Sequence, residues 1–266
     1  GSGMSRPAHR FLRALLPPLV LLVLVLVAWQ LVVMLLEIKP YLLPSPTAVV
    51  EAAFEHRSEL FSAIWLTGRA AVLGLLISIL LGTTTALLFS QSRIVRRSFY
   101  PYAIALQTVP IVAIAPLIVN WFGEGFQSVV VVTVIISLFP VITNVTTGLT
   151  SIDEGLHDLF QLNQGSRWQQ LVKLRIPSAI PSLVTGARTA AGLAVVGAIV
   201  GEFFAGSLVQ DRGLGYFVLS AVPNLQTDLL FGCVIAATLL GVVMFVAVSL
   251  VGTHLLGRWT AEMETH

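Results

Sequence analysis

Residues 19–36 read LVLLVLVLVAWQLVVMLL, and stretches of this kind decide the fold class of the chain. Gln30 is the one strongly polar residue in this stretch, and residues 70–89 and 129–149 carry no charged side chain. A helix needs about 20 mainly apolar residues to cross roughly 30 Å of hydrocarbon. These stretches therefore predict membrane-spanning α-helices.

Composition supports the same prediction and excludes several other classes of protein. Of the 266 residues, 56% are hydrophobic and 11% are charged, whereas an ordinary soluble domain has about 25% charged residues. A net charge of +2, with no concentrated basic patch, argues against nucleic-acid binding. The single cysteine, Cys233, excludes an intrachain disulfide framework. The scattered histidines have no metal-ligand spacing, so we expect no catalytic residues and no metal site.

The apolar stretches predict an all-α, polytopic membrane bundle of about six transmembrane helices. They cover Leu19–Leu36, Ala63–Phe89, Pro101–Phe122, Val129–Leu149, Val184–Phe204 and Leu229–Leu256. Pro110 and Pro116 interrupt the third span, and Pro140 lies inside the fourth. Proline is tolerated in a span where neighbours satisfy the freed backbone groups. We therefore expect the third span to be kinked and buried among other helices.

The positions of the basic residues predict which side of the membrane each connection faces. Ten lysines and arginines fall in alternate connections and three fall in the others. Because positive charge favours the cytoplasmic side, both termini should be cytoplasmic. The predicted organisation is a tag remnant and cytoplasmic N-terminal segment (1–18), a first span with an external amphipathic segment (19–62), a transmembrane core (63–256) with a loop at 150–182, and a cytoplasmic tail (257–266).

The cytoplasmic loop at 150–182 is too long to be a simple connection between two spans. Leu156, Leu159 and Phe160 have helical spacing, which predicts a short amphipathic helix. Trp168, Leu171 and Val172 form a second short apolar stripe, and Pro177 and Pro181 end it before the next span. Periodicity alone fits two structures equally well: a docking element for a partner, or an interfacial helix lying in the lipid headgroups.

Part of this loop resembles the "EAA" signature of permease subunits of bacterial ABC importers. That signature runs Glu-Ala-Ala, three residues, Gly, nine residues, Ile, one residue, Leu-Pro. When it is aligned on Pro177, Asp158 takes the Glu position and Gln164 the Gly position, with Gly165 one place later. The alanine positions hold Leu159 and Phe160. The resemblance implies that this loop is the coupling helix that contacts an ATPase, through Asp158, Leu159, Phe160, Gln164, Gly165, Arg167, Trp168 and Pro177.

Further segments along the chain are similar to the nitrate, sulfonate and taurine branch of the binding-protein-dependent type I importers. They include Tyr41–Pro46, Gln107–Pro110, Trp121–Gly123, Glu202–Gly206 and Gly213–Gly215. The branch also contains permeases for riboflavin and for pyrimidine precursors of thiamine. The resemblance implies a bacterial inner-membrane location, a second permease copy in a homodimer, a cytoplasmic ABC ATPase dimer and an external solute-binding protein.

The chain has no phosphate-binding loop of its own, since no Gly-x-x-x-x-Gly-Lys-Ser/Thr run occurs in it. If transport uses ATP, a partner ATPase must therefore bind ATP and Mg. We expect no cofactor in this chain and no enzymatic activity of its own.

Polar residues inside the spans are candidates for the translocation pathway, and each has a structural alternative. Glu202 could face the pathway, or it could bond to nearby backbone. Gln107, Asn120 and Asn144 could line the pathway, or they could bond to carbonyls near the span prolines. Arg188 is expected to extend its side chain toward the cytoplasmic face.

The sequence thus predicts a permease subunit that forms the pathway for a small solute and is coupled to ATPase subunits through residues 158–177. The alternative is a stand-alone channel or secondary carrier, which would transport without ATPase partners. The solute stays open among sulfonate, nitrate, taurine, riboflavin and a pyrimidine precursor. We expect no basic residue at mid-depth in the spans, which favours a neutral or aromatic solute such as a pyrimidine or flavin over a small oxyanion.

Overall fold

The computed structural model describes residues 6–151, 166–205 and 212–263, and all regular elements in these ranges are helical. The first six helices are α1 (Arg6–Leu35), α2 (Pro46–Glu55), α3 (Arg57–Gln91), α4 (Arg93–Gln107), α5 (Ile111–Phe122) and α6 (Phe126–Thr150). After the loop come α7 (Arg167–Gln170), one π-helical turn (Leu171–Arg175), α8 (Ile176–Ala205), α9 (Leu214–Ala221) and α10 (Thr227–Met263).

Five helical stretches are long and apolar enough to span a membrane, and a bent pair of helices brings the number to six. The stretches are Leu16–Leu35, Arg57–Gln91, Phe126–Thr150, Trp168–Ala205 and Thr227–His254. The fold class predicted from the sequence is therefore confirmed. The helix α10 continues to Met263, into the segment predicted as the cytoplasmic tail (257–266).

The third predicted span is two helices rather than one kinked helix. The segments Ile94–Gln107 and Ile111–Phe122 meet at an angle of 98°. Pro110 at the junction has no N–H to donate and restricts the residue before it to extended geometry. The expected burial is wrong for most of this segment in a single copy of the chain, because Val112, Leu117 and Trp121 are exposed.

The core of the bundle is built on α6, which packs most extensively against α8 and α3. Gly74 and Gly82 of α3 meet Thr133 and Val141 of α6 respectively, so these two helices run parallel. Pro140 lies inside α6, which runs as one helix from Phe126 to Thr150. Beside it, Thr143 Oγ1 donates to Phe139 O and Asn144 Nδ2 donates to Pro140 O. Residue 140 therefore does not break α6.

The fifth predicted span, α8, runs antiparallel to α6. Gly201 faces Val129 near the start of α6, and Gly186 faces Pro140 in its second half. Small residues let two helix backbones approach closely without large side chains between them. The ends of α3 and α6 and the start of α8 consequently lie at one end of the bundle, which we call the loop end.

The outer helices cover this core loosely. No residue of the most apolar window of α1 is buried, and few are buried in that of α10. Trp29 of α1 contacts Phe231 of α10 through rings 5.6 Å apart. The amphipathic segment predicted after the first span is α2, with Ser45 as its N-cap, accepting a hydrogen bond from Ala48 N at 3.3 Å.

Candidate functional site

Of the coupling loop at 150–182, the structure describes residues 150–151 and 166–182. Asp158, Leu159, Phe160, Gln164 and Gly165 lie outside the described residues. Their assignment to an ATPase contact stays a prediction.

The second half of the loop begins with a capping box at α7. Ser166 Oγ accepts from Gln169 N at 3.2 Å, and Gln169 Oε1 accepts from Ser166 N at 2.9 Å. This reciprocal pair satisfies donors that a helix start otherwise leaves unpaired. The run Ser-Arg-Trp-Gln at 166–169 therefore fixes where α7 begins, with Arg167 as its first residue.

The apolar residues of this segment divide between two faces. Leu171 and Leu174 are buried against the bundle, whereas Trp168 is 71% exposed and Val172 is also exposed. The sequence predicted one stripe containing Trp168, Leu171 and Val172. The structure instead places Leu171 in the core and leaves an indole on the surface next to the loop.

The π-helical turn continues directly into α8 and contacts α3 through Arg175. Pro177, half-buried in the first turn of α8, cannot donate to the carbonyl four residues earlier. Just before it, Ile176 N donates to Leu171 O, five residues earlier, which is the wider π-helical spacing. Arg175 Nη1 donates to Ser90 O at 3.0 Å, at the C-terminal end of α3. A guanidinium is favourable there because a helix C-terminus carries partial negative charge.

Two of the predicted pathway residues lie on the bent pair. Gln107 ends α4, and Asn120 lies in the last turns of α5. Both side chains are exposed, and neither makes a hydrogen bond within the described part of the chain. The carbonyl-bonding alternative is therefore not observed for them, and their pathway role stays a prediction.

Asn144 behaves differently from these two. Its Nδ2 donates to Pro140 O at 2.8 Å, and the neighbouring Thr143 Oγ1 donates to Phe139 O at 2.9 Å. These contacts correspond to the structural alternative, in which polar side chains serve the backbone around a proline.

Glu202 is the most enclosed of the candidate residues. It is 4% exposed, at the end of α8 away from the loop. Thr67 Oγ1 donates to Glu202 Oε1 at 2.8 Å, and Gly215 N donates to Oε2 at 2.7 Å. Thr67 Oγ1 in turn accepts from Leu214 N at 2.9 Å. The carboxylate thus holds the first turn of α9 to α3 and α8.

The sequence did not single out Thr67, because a lone threonine in an apolar span gives no signal of its partner. The Gly213-Leu214-Gly215 motif was visible, and its physical reason is now clear. A Cβ on Gly215 would lie 2.5 Å from Ile199 O and 2.7 Å from Glu202 Cβ. Only glycine lets this turn approach the carboxylate.

Arg69 and Arg188 lie in the interiors of the span helices α3 and α8. Arg188 lies twelve residues into α8, about 18 Å along its axis at about 1.5 Å per residue. Its Nη2 is 3.5 Å from Ser249 O on α10, and its Nε is buried without a partner among the described residues. Arg69 lies over the ring of Phe126 at 5.7 Å.

The chain was compared with known proteins. Residues 74–260 match the family described as binding-protein-dependent transport system inner membrane component. A probable ABC transporter permease protein of Haemophilus influenzae is 37% identical over 83% of this chain and 89% of its own length.

Two further relatives are named for specific solutes. The formylaminopyrimidine transport permease protein of Halalkalibacterium halodurans is 35% identical over 88% of this chain and 92% of its own. The riboflavin transport system permease protein of Chloroflexus aurantiacus is 34% identical over 91% of this chain and 90% of its own. These similarities confirm the resemblance that the sequence motifs indicated.

Proposed function

Because the chain belongs to the family of binding-protein-dependent transport system inner membrane components, we propose that it is driven by a partner ATPase through its 158–177 segment. The chain is an ABC transporter permease subunit for a small solute, a multi-pass protein of the inner membrane. This membership supports the importer over a stand-alone channel or secondary carrier. Membership of this family implies, in general terms, ATPase and binding-protein partners.

The exposed Trp168 is the observation that carries the coupling proposal. A large aromatic side chain left on the surface at the loop end suits burial in a groove of a partner, since aromatic residues dominate interface energetics. Val172 extends this exposed apolar surface by one turn. Asp158, Leu159, Phe160, Gln164, Gly165 and Arg167 would complete the contact.

The connection from this surface to the bundle supports transmission of movement. The segment from α7 through the π-helical turn is continuous with α8, and Arg175 ties it to α3. A displacement of Trp168 would therefore move two core helices together. Binding of ATP and Mg would close the ATPase dimer. This closure would push the coupling segment and switch the pathway between inward- and outward-facing states.

The coupling proposal is tested by Trp168→Glu in the reconstituted importer. Burial of a carboxylate in an apolar groove is strongly unfavourable, so we expect solute-stimulated ATP hydrolysis to fall by about tenfold or more. Trp168→Phe keeps an aromatic ring at the same position and should retain most of the stimulation. The proposal is wrong if Trp168→Glu folds normally and hydrolyses ATP with full stimulation.

The proposed assembly contains a second copy of this chain, with the solute path between the two copies. Gln107 and Asn120 support this arrangement because both amides are exposed on the poorly covered helices α4 and α5. Asn144 and Glu202 remain proposed pathway residues, although their hydrogen bonds favour structural roles. Both termini are proposed to be cytoplasmic.

We propose a small heteroaromatic solute, such as a pyrimidine or a flavin. Two of the relatives above 30% identity are named for a formylaminopyrimidine and for riboflavin. Mass-spectrometric identification of the ligand carried by the cognate external binding protein tests this. An aliphatic sulfonate or nitrate in that protein would contradict the solute class and leave the coupling proposal intact.

A further inference from the structure

A cavity of about 380 Å³ opens at the loop end of the bundle between α4 and α6. The polar side chains that line it are Arg96, Arg97 and Tyr100 of α4 and Thr146, Thr147 and Thr150 of α6. Its volume lies within the range of small-molecule sites. Within the described part of the chain, no lining residue is acidic.

One hydroxyl in this cavity has no partner. Thr146 is 3% exposed, and its Oγ1 is buried without a hydrogen bond in the described structure. Its neighbours are satisfied, since Thr147 Oγ1 donates to Thr143 O at 2.9 Å and Thr150 Oγ1 donates to Thr146 O at 2.8 Å. Buried polar groups are nearly always paired in folded proteins. A rotation of the Thr146 side chain would turn this unpaired hydroxyl toward the cavity that the residue lines, where it would be a donor to a bound ligand.

The electrostatics of the cavity favour an anion. Arg96 and Arg97 lie near the N-terminus of α4, where the helix dipole is positive, and the first turn of α4 contains no acidic residue. Neither guanidinium forms an ion pair with the residues that the structure describes. Positively charged side chains at the positive end of a helix repel it, and a bound anion would offset this repulsion.

We propose that this cavity binds a phosphate-type oxyanion through Arg96, Arg97 and the Thr146 hydroxyl. A guanidinium presents several N–H donors in a plane, which fits phosphate oxygens. The anion would sit where α6 ends at Thr150, directly before the loop. Its occupancy would hold the bent α4 against α6 at the base of the coupling segment.

Two sources could supply this chemistry: the headgroup of an anionic phospholipid or free phosphate. The test measures thermal unfolding of the purified full-length chain in neutral detergent. One arm adds sodium phosphate at constant ionic strength, and the other adds phosphatidylglycerol against phosphatidylcholine. We expect a saturable rise in the unfolding midpoint, in both arms if phosphate suffices and with phosphatidylglycerol alone if the source is lipid.

Matched variants assign the effect to the cavity. Arg96→Gln, Arg97→Gln and Thr146→Val should each weaken the apparent affinity by about tenfold, the order expected for one charge-assisted hydrogen bond. Two controls lie outside the cavity lining: Thr84→Val, whose hydroxyl donates to Leu80 O on α3, and Arg57→Gln, an exposed arginine at the other end of α3. Both should change the apparent affinity by less than about twofold.

Thr146→Val is informative even without ligand, because removing a hydroxyl that has no partner should leave the unliganded chain at least as stable. The proposal is overturned if neither probe raises the midpoint, or if Thr146→Val and the two arginine variants bind as tightly as the unsubstituted chain.

Discussion

Thr67 lies at the centre of a buried hydrogen-bond chain that joins three helices. Its hydroxyl donates to Glu202 of α8 and accepts from the N–H of Leu214 at the start of α9. Thr67 itself is fully buried on α3. A hydroxyl can fill both roles at once, whereas an apolar side chain of the same shape can fill neither.

Thr67→Val should therefore lower the stability of the protein. The change leaves the Leu214 N–H without an acceptor and the Glu202 carboxylate with one donor fewer, and each buried unpaired group costs about 1–3 kcal/mol. We expect a clear fall in the thermal unfolding midpoint in detergent. Thr67→Ser keeps the hydroxyl and should unfold close to the unsubstituted chain. Equal midpoints for the valine and serine variants would contradict the role given to this hydrogen-bond chain.

Glu202 shows how far sequence reasoning reaches for a single residue. An ionisable group within a span is unfavourable, so the sequence marks Glu202 as a residue with a specific partner. The partner could not be identified, because Thr67 lies 135 residues away and the sequence does not say which helix faces are opposed. Both a pathway role and a structural role were open, and the observed hydrogen bonds favour the structural one.

At the scale of the helices, the close contact between α6 and α8 depends on small residues. A Cβ on Gly201 would lie 2.9 Å from Val129 Cα, and a Cβ on Gly197 would lie 2.8 Å from Thr133 Cα. Both contacts are with backbone atoms, which cannot rotate away. The Gly-x-x-x-Gly spacing of 197 and 201 is typical of close helix packing, but this spacing does not say which helix is the partner.

Gly201→Ala should destabilise the bundle, although replacing glycine by alanine in a helix is normally favourable by about 0.5–1 kcal/mol. The added methyl group must push α8 away from α6, and overpacking of this kind costs about 1–3 kcal/mol. Gly192→Ala is the matched control on the same helix, because nothing lies within 4 Å of its Cβ position. Thermal unfolding should rank the control at or above the unsubstituted chain and Gly201→Ala below it. The reverse order would contradict this packing.

The bent pair α4–α5 marks the limit of element prediction in this chain. Pro110 and Pro116 correctly indicated a disturbed span, but proline content does not set the size of a bend. The two helices meet at 98° next to Pro110, whose backbone is extended, and α4 is a basic, amphipathic helix. The apolar pattern assigns residues 101–107 to the third span and Arg93–Arg97 to the loop before that span.

At the scale of the whole molecule, the glycine contacts place the ends of α3 and α6 and the start of α8 at one end of the bundle. The coupling segment and the cavity between α4 and α6 lie at that same end. The basic residues in the first turns of α4 and around α7 also fall there. Charge bias alone predicts that this end is cytoplasmic, and the packing of the helices independently groups the same connections together.

Cysteine labelling tests that orientation with little background, because the single native cysteine, Cys233, is fully buried. Gln91→Cys introduces an exposed thiol at the loop end, and Glu124→Cys introduces one in the connection between α5 and α6 at the opposite end. In intact cells, a membrane-impermeant maleimide should label Glu124→Cys at once and Gln91→Cys only after permeabilisation, since charge places the loop end inside. The unsubstituted chain serves as the control for Cys233. Labelling of Gln91→Cys in intact cells would reverse the orientation and would place the proposed coupling segment on the wrong side of the membrane for an ATP-driven partner.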